Sequence, residues 1–228
     1  MNNFTENLTP VEVRIPVRDA FLSGDLVTPE QFEALIIFAH GSGSGRHSSR
    51  NRWVAKRLQQ SGIATLLLDL LTIQEEKIDE YTREHRFDIA LLTSRLQDAT
   101  VWVNTQAHLQ HAAIGFFGAS TGSAAALIAA ARLKDRVSAV VSRGGRPDLA
   151  GVAVLASVTA PTLLIVGGAD HEVVELNKQA HQLMRCEKSL AIVPGATHLF
   201  SESGALEQVA HLAVAWFAAH LTTIPHAS

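Results

Sequence analysis

At 228 residues, with 47% hydrophobic and 18% charged side chains, the chain has the make-up of one ordinary globular domain that can bury a core without disulfides or metal. A formal net charge of -3 exerts no pull towards nucleic acid or an anionic membrane, so neither is expected as a partner. The lone Cys186 excludes an internal disulfide and a Cys-based zinc site, which suits a reducing compartment, and cytoplasm is the expected location. Met1 to Pro10 lacks the basic start and apolar core of a signal peptide, and no apolar run approaches the ~20 residues of a membrane helix, so a soluble, unprocessed chain is expected.

Val11, Val13, Ile15 and Val17 alternate with polar or constrained positions, and Ala20 to Val27 follows after a polar step; the two read as an antiparallel edge. Ala34 to Ala39 is a continuous apolar run, as in a strand buried on both faces, and it ends in the glycine-rich His40-Gly41-Ser42-Gly43-Ser44-Gly45. A phosphate-binding reading of this loop fails, because neither the Lys-Ser/Thr of a Walker loop nor the glycine spacing of a dinucleotide fingerprint is present. Trp53, Val54 and Leu58 mark a crossover helix over residues 50–60, and Ile63 to Leu68 is the next buried strand. Residues 72–85 turn charged and read as a solvated surface loop that leaves a strand's carboxyl end, where it is placed to overhang a site. A long amphipathic helix follows, carrying Ile89, Leu92, Leu96, Ala99 and Val103. Strands are expected at residues 112–117, 137–142, 161–166 and 190–193, with helices at the alanine-rich run after Ser120, around Val173 to Met184 and around Leu206 to Phe217. Strand and helix alternate from residue 34 onward without repeats or a linker, which predicts a single α/β domain over residues 1–228: a mostly parallel sheet of about eight strands with helices on both faces.

Gly118-Ala119-Ser120-Thr121-Gly122 joins a buried strand to an alanine-rich helix. That turn holds its central residue in strained angles and needs small neighbours on either side, so the pattern reads as a nucleophile elbow that lifts the Ser120 hydroxyl above the sheet. Serine attacks at neutral pH only if a base takes its proton and a carboxylate orients that base. Asp170 follows a later strand and His198 the last, so Ser120, Asp170 and His198 are the expected catalytic set; His47 and His171 compete for the base, and Asp148 and Glu172 for the acid. Oxyanion donors are expected from the backbone amide of Thr121 and from the first glycine-rich loop, with Ser42 ahead of Gly43. His171-Glu172-Val173-Val174-Glu175 opens like a zinc motif but lacks the second histidine, and no metal or cofactor is expected.

Taken together, His40-Gly41, the elbow, Gly168-Ala169-Asp170 and Gly195-Ala196-Thr197-His198 make the chain resemble the α/β-hydrolase superfamily from Ala34 to Leu221, and within it the small lidless group similar to dienelactone hydrolases. The resemblance implies an α/β-hydrolase fold and hydrolysis of a soluble carboxylic ester, thioester or lactone through an acyl-enzyme. Dienelactone hydrolases proper carry cysteine at the elbow, so Ser120 departs from their pattern; the departure bears on their particular lactone chemistry and not on ester or thioester hydrolysis. A peptidase or acyltransferase on the same three residues, and a binding protein without turnover, are the alternatives.

Two further expectations concern the substrate. Arg46, Arg143 and Arg146, with His47 and Arg50, follow strands at the active edge and suit an anionic substrate; the alternative is that they pair with acids of residues 72–88. Only 18 residues separate Ser142 from Pro161, too few for a helical lid, so an open site for short-chain esters is expected. Oligomeric state leaves no mark in the sequence.

Overall fold

A computed structural model describes residues 8–221. Its strands are β1 (Val11–Val17), β2 (Ala20–Val27), β3 (Ala34–Ala39), β4 (Ala64–Leu68), β5 (Ala113–Ala119), β6 (Ala139–Arg143), β7 (Thr162–Gly167) and β8 (Lys188–Val193). The helices are α1 (Ser49–Gln60), α2 (Ile73–Thr82), α3 (Ile89–Thr105), α4 (Thr121–Leu133), α5 (Val152–Leu155), α6 (His171–Leu183) and α7 (Ala205–His220). They form one sheet in the order β1-β2-β4-β3-β5-β6-β7-β8, antiparallel across β1, β2 and β4 and parallel from there on. This is the α/β-hydrolase fold that the alternation of apolar runs predicts.

The continuous apolar runs become strands because both of their faces are covered. β3, β4 and β5 are buried at every position. One core lies between the sheet and α3 and α4, gathering Leu35, Ile37, Phe116, Leu96 and the alanines of α4; the opposite core, under α1 and α7, gathers Ile36, Phe38, Phe117, Val54, Leu58 and Phe217. Strand order reverses between β3 and β5, since β3 crosses over to β4 on one side and β5 to β6 on the other. At such a switch point the loops at the strands' carboxyl ends diverge and leave a crevice. His40 to Gly45 and Ser120 lie at this point.

Residues 72–85 are not the expected loop. Thr72 caps α2 with its hydroxyl on the Glu75 amide (3.2 Å), and the Glu75 carboxylate returns to the Thr72 amide (2.7 Å). The reciprocal pair satisfies two of the amides that a helix start leaves open. Beyond it, the buried Asp79 carboxylate takes the backbone N–H of Arg86 (3.0 Å) and its Nε (2.5 Å), folding the end of α2 back on itself. Between β6 and β7 the chain forms only a 3-10 turn (Pro147–Ala150) and the four-residue α5, in keeping with the expected lack of a lid there.

Candidate active site

Ser120 sits between β5 and α4 with φ 50° and ψ -122°, outside the regions ordinary residues favour. Its glycine neighbours make the turn possible. A Cβ on Gly118 would lie 2.5 Å from Ser123 Cα, and one on Gly122 would lie 2.3 Å from the carbonyl oxygen of Ala39. The strand, the helix and the preceding strand therefore approach more closely than any side chain permits.

His198 Nε2 is 3.3 Å from Ser120 Oγ, and His198 Nδ1 is 2.7 Å from Asp170 Oδ2. Ser120, Asp170 and His198 come from 78 and 28 residues apart, so only the fold brings them together. The loops that carry Asp170 and His198 are stitched by the Ala169 amide on the Ala196 carbonyl (2.9 Å) and the Gly168 amide on the Val193 carbonyl (2.8 Å). With Nδ1 donating to the carboxylate, Nε2 presents its lone pair to the serine hydroxyl, the tautomer a general base needs.

The competing residues lie elsewhere. Asp148 accepts two bonds from Arg146, Nε at 2.9 Å and Nη2 at 2.7 Å. His47 lies against Arg52 and Asp25, and His171 opens α6.

The glycine-rich loop is pinned over the elbow. His40 is buried, and its Nε2 accepts the Leu70 amide (3.0 Å) while Nδ1 lies 2.9 Å from the Gly41 carbonyl oxygen, so the proton sits on Nδ1. Burial lowers the imidazole's pKa and keeps it neutral. A Cβ on Gly41 would meet Ser120 Cβ at 3.1 Å, so the loop backbone passes directly above the nucleophile.

One expectation needs correcting here. The Ser42 amide is not free: it donates to Thr121 Oγ1 at 2.9 Å. The loop's closeness to α4 lets the threonine hydroxyl intercept it. Gly43, the other expected donor, turns with φ 67°, and its amide has no acceptor among the described residues. Thr121 keeps the first backbone amide of α4, which by position has no partner within the helix.

The arginines separate into two kinds. Arg46 is occupied: its guanidinium meets Asp69 (3.1 Å), Asp25 (3.2 Å) and Glu12 (3.3 Å). Arg146 is held by Asp148. Both are thus corrected from substrate-facing to structural, and their partners come from outside residues 72–88, because the antiparallel edge and the chain after β4 lie nearer. Arg143 is buried, and its Nε and Nη1 have no acceptor among the described residues. Asn177 escaped the sequence reading: buried on α6, it donates to the carbonyl oxygens of Gly145 (2.9 Å) and Val173 (2.8 Å) and so fixes the loop after β6. Its signal is an amide interrupting the apolar stripe of Val173, Val174 and Ala180.

A cavity of ≈ 200 Å³ opens beside the glycine-rich loop, lined by His40 to Ser44 and, from the α2 side, by Glu76, Asp79, Glu80 and Arg86. The charged segment therefore borders the site, as its position after β4 suggested. No helix among the described residues is long and apolar enough to cross a membrane.

A strand-switch crevice holding a serine on an elbow, a histidine and an aspartate defines a hydrolase of the α/β class. The chain belongs to the alpha/beta hydrolase domain family, whose sequence profile matches residues 32–221, and within it to the group similar to dienelactone hydrolases. A dienelactone hydrolase from Anabaena variabilis is 53% identical, with a TM-score of 0.91 over 94% of this chain and all of that one. Est1E from Butyrivibrio proteoclasticus shares the fold at 17% identity, with a TM-score of 0.76 over 91% of this chain and 98% of that one. Two proteins from strains of Mycobacterium tuberculosis, provisionally named phosphoribosyl transferases, are 54% identical over 92% of this chain; the chain spans 46% of their length.

Proposed function

We propose that the chain is a serine hydrolase that cleaves a soluble, short carboxylic ester, thioester or lactone through an acyl-enzyme. The hydrogen-bonded sequence Ser120–His198–Asp170 at the switch point carries this reading. Ser120 Oγ attacks the carbonyl carbon as His198 Nε2 takes its proton, and the negative charge gathers on the carbonyl oxygen beneath the Thr121 amide. Collapse breaks the bond to the leaving alcohol or thiol, which receives the proton from His198. Water then gives a proton to the same nitrogen, adds to the acyl carbon and releases the acid, and the proton returns to Ser120. Asp170 accepts from Nδ1 throughout and holds the imidazole in position. The likeness to a dienelactone hydrolase supports the reaction class.

The relatives' provisional name suggests a phosphoribosyl transferase, but the chain spans under half of those proteins. We assign any such transfer to the portion of them that this chain does not match. Phosphoribosyl transfer by this chain alone is therefore expected to be undetectable.

A fluorophosphonate probe tests the nucleophile without knowledge of the substrate. Labelling at Ser120, read by peptide mass, is expected in the wild type and absent in Ser120→Ala. Ser120→Ala and His198→Ala should each lower kcat by roughly 10⁴–10⁶, with the double variant little worse, because the residues act as a unit. Near-normal esterase activity in Ser120→Ala would overturn the reading.

A further inference from the structure

Three other arginines around the site each have an acid. Arg95 pairs with Glu75 (2.5 Å), Arg86 with Asp79 (2.5 Å) and Arg46 with three carboxylates. Arg143 differs. It is 7% exposed, its Nε and Nη1 are fully buried without an acceptor, and no carboxylate among the described residues pairs with it. Arg50, in the first turn of α1, likewise buries an Nε without an acceptor and has no acid partner among the described residues, and no acidic residue lies in that turn.

The position matters as much as the lack of partners. Arg143 ends β6 opposite Ala119, and its carbonyl oxygen accepts the Ser120 amide (3.2 Å). The next residue, Gly144, lies against His198: a Cβ there would be 3.2 Å from the His198 carbonyl oxygen and 3.6 Å from Nδ1. Ala139 and Val141, on the same face of β6, pack under α1 and α7, so the Arg143 side chain leaves the strand towards α1, where Arg50 stands. Two guanidinium groups and the positive end of α1 thus converge beside the nucleophile. Burial first, and then the charge of Arg50, lower Arg143 to about 10, so it remains a cation at neutral pH. A buried cation whose N–H groups have no acceptor is a cost that a folded chain keeps where a ligand supplies the acceptor.

We propose that Arg143, with Arg50, seats an anionic group of the substrate, a carboxylate or a phosphate, beside the ester that Ser120 attacks. A planar guanidinium, charged at neutral pH, whose Nε and Nη1 have no acceptor among the described residues suits either oxyanion. This inference rests on the serine-hydrolase reading for its place in catalysis, while the anion seat itself can be read without turnover.

Three measurements decide it. For a para-nitrophenyl hemisuccinate against the neutral butanoate, the wild type should show kcat/KM higher by roughly ten- to a hundredfold, the size of a charge-assisted contact. That ratio should collapse towards one in Arg143→Met and fall partway in Arg50→Gln. Arg57→Gln, on the same helix with the same change of charge, should keep it. Thermal melting supplies the second readout: Arg143→Met should melt at or above the wild type, because an unpaired buried charge has been removed. A structural arginine would instead leave a lower Tm. Third, glutarate or inorganic phosphate should raise the wild-type Tm beyond an equal ionic strength of sodium chloride, and Arg143→Met should lose that increment. The stronger of the two anions, in melting and in competitive inhibition, identifies the group. Fluorophosphonate labelling reads Ser120 separately: without it the hydrolase reading fails, and the melting arms still judge the seat. An unchanged substrate ratio with normal labelling, or an anion increment equal in both proteins, overturns the proposal.

Discussion

Thr121 carries two groups of opposite use at the same point. Its backbone amide opens α4 next to the nucleophile, and its Oγ1 accepts the Ser42 amide at 2.9 Å. With a lone pair so engaged, the hydroxyl keeps a proton to donate, and we infer that it assists the amide in meeting the developing oxyanion. Thr121→Val preserves shape and removes the hydroxyl; kcat should fall by roughly 10²-fold with little change in KM, on the scale of one lost oxyanion donor. Thr121→Ser should recover most of the rate. A faster Thr121→Val enzyme would show instead that the released Ser42 amide is itself the donor. For the acid, Asp170→Asn should cost about 10⁴ in kcat by disturbing the imidazole tautomer, whereas Asp148→Asn should change activity little. Ser120, Asp170 and His198 were legible because each follows a strand and the turns around them are glycine-rich. The fate of the Ser42 amide was not, since it depends on a side-chain oxygen 79 positions away. The division of the arginines was hidden for the same reason: a sequence shows that a guanidinium is near an edge, and only packing decides which carboxylate reaches it.

α2 shows how an element can be written in a sequence and still be overlooked. Thr72-Ile73-Gln74-Glu75 is a capping box in plain sight. What conceals the helix is its lack of an apolar stripe: Asp79 is its only buried residue, while Ile73, Ile78 and Tyr81 face outward. Periodicity detects a helix by what it packs, and this one is held by its cap and by two ion pairs, Glu75 with Arg95 and Asp79 with Arg86, the second of which closes its end. That ion pair also bears on the site, because a Cβ on Gly43 would come within 3.3 Å of Arg86 Nη1, placing Arg86 behind the glycine-rich loop. Asp79→Ala strands the guanidinium and should cost about 3 kcal/mol, the range for breaking a buried pair. Burial works against the Asp79 charge, but the backbone N–H and guanidinium of Arg86 prevail and hold its pKa below the ordinary 3.8. A depressed carboxyl stabilises the fold fully above its unfolded value and loses that contribution as pH falls through its folded value. The gap in Tm between wild type and Asp79→Ala should therefore be widest near neutrality, begin to narrow below about pH 4 and close as pH falls through the lower folded value. A gap of the same size at every pH at which both proteins fold would mean that the variant acts through lost packing and not through charge.

At the scale of the whole molecule, access to Ser120 is set by what the sheet's carboxyl edge carries. Two segments border that edge with enough length to cover it. The one between β6 and β7 spends its residues on the Pro147–Ala150 turn and the single turn of α5, and Asn177 ties its start to α6. The other, α2, is anchored at both ends, by the capping box and by Asp79 with Arg86, and the face it turns to the cavity carries Glu76 and Glu80. Such a face is poorly suited to lipid, and its anchoring leaves no loose hinge on which a cover could swing. The ≈ 200 Å³ cavity it borders lies between the glycine-rich loop and Glu76, Asp79, Glu80 and Arg86, and Ser120 and His198 are not part of its wall, so it is no deep apolar seat for an acyl group at the nucleophile. Apolar acyl groups beyond a few carbons would therefore lie against charge or in water, gaining little of the ~0.8 kcal/mol that each buried methylene otherwise contributes. In a series of para-nitrophenyl esters, kcat/KM should peak at short acyl chains and decline from about six carbons onward, with ordinary saturation up to the solubility limit. A jump in rate at that limit, or a preference for long-chain emulsions, would require α2 to leave its anchors, and Asp79→Ala, which loosens them, should then raise activity on such substrates instead of lowering it.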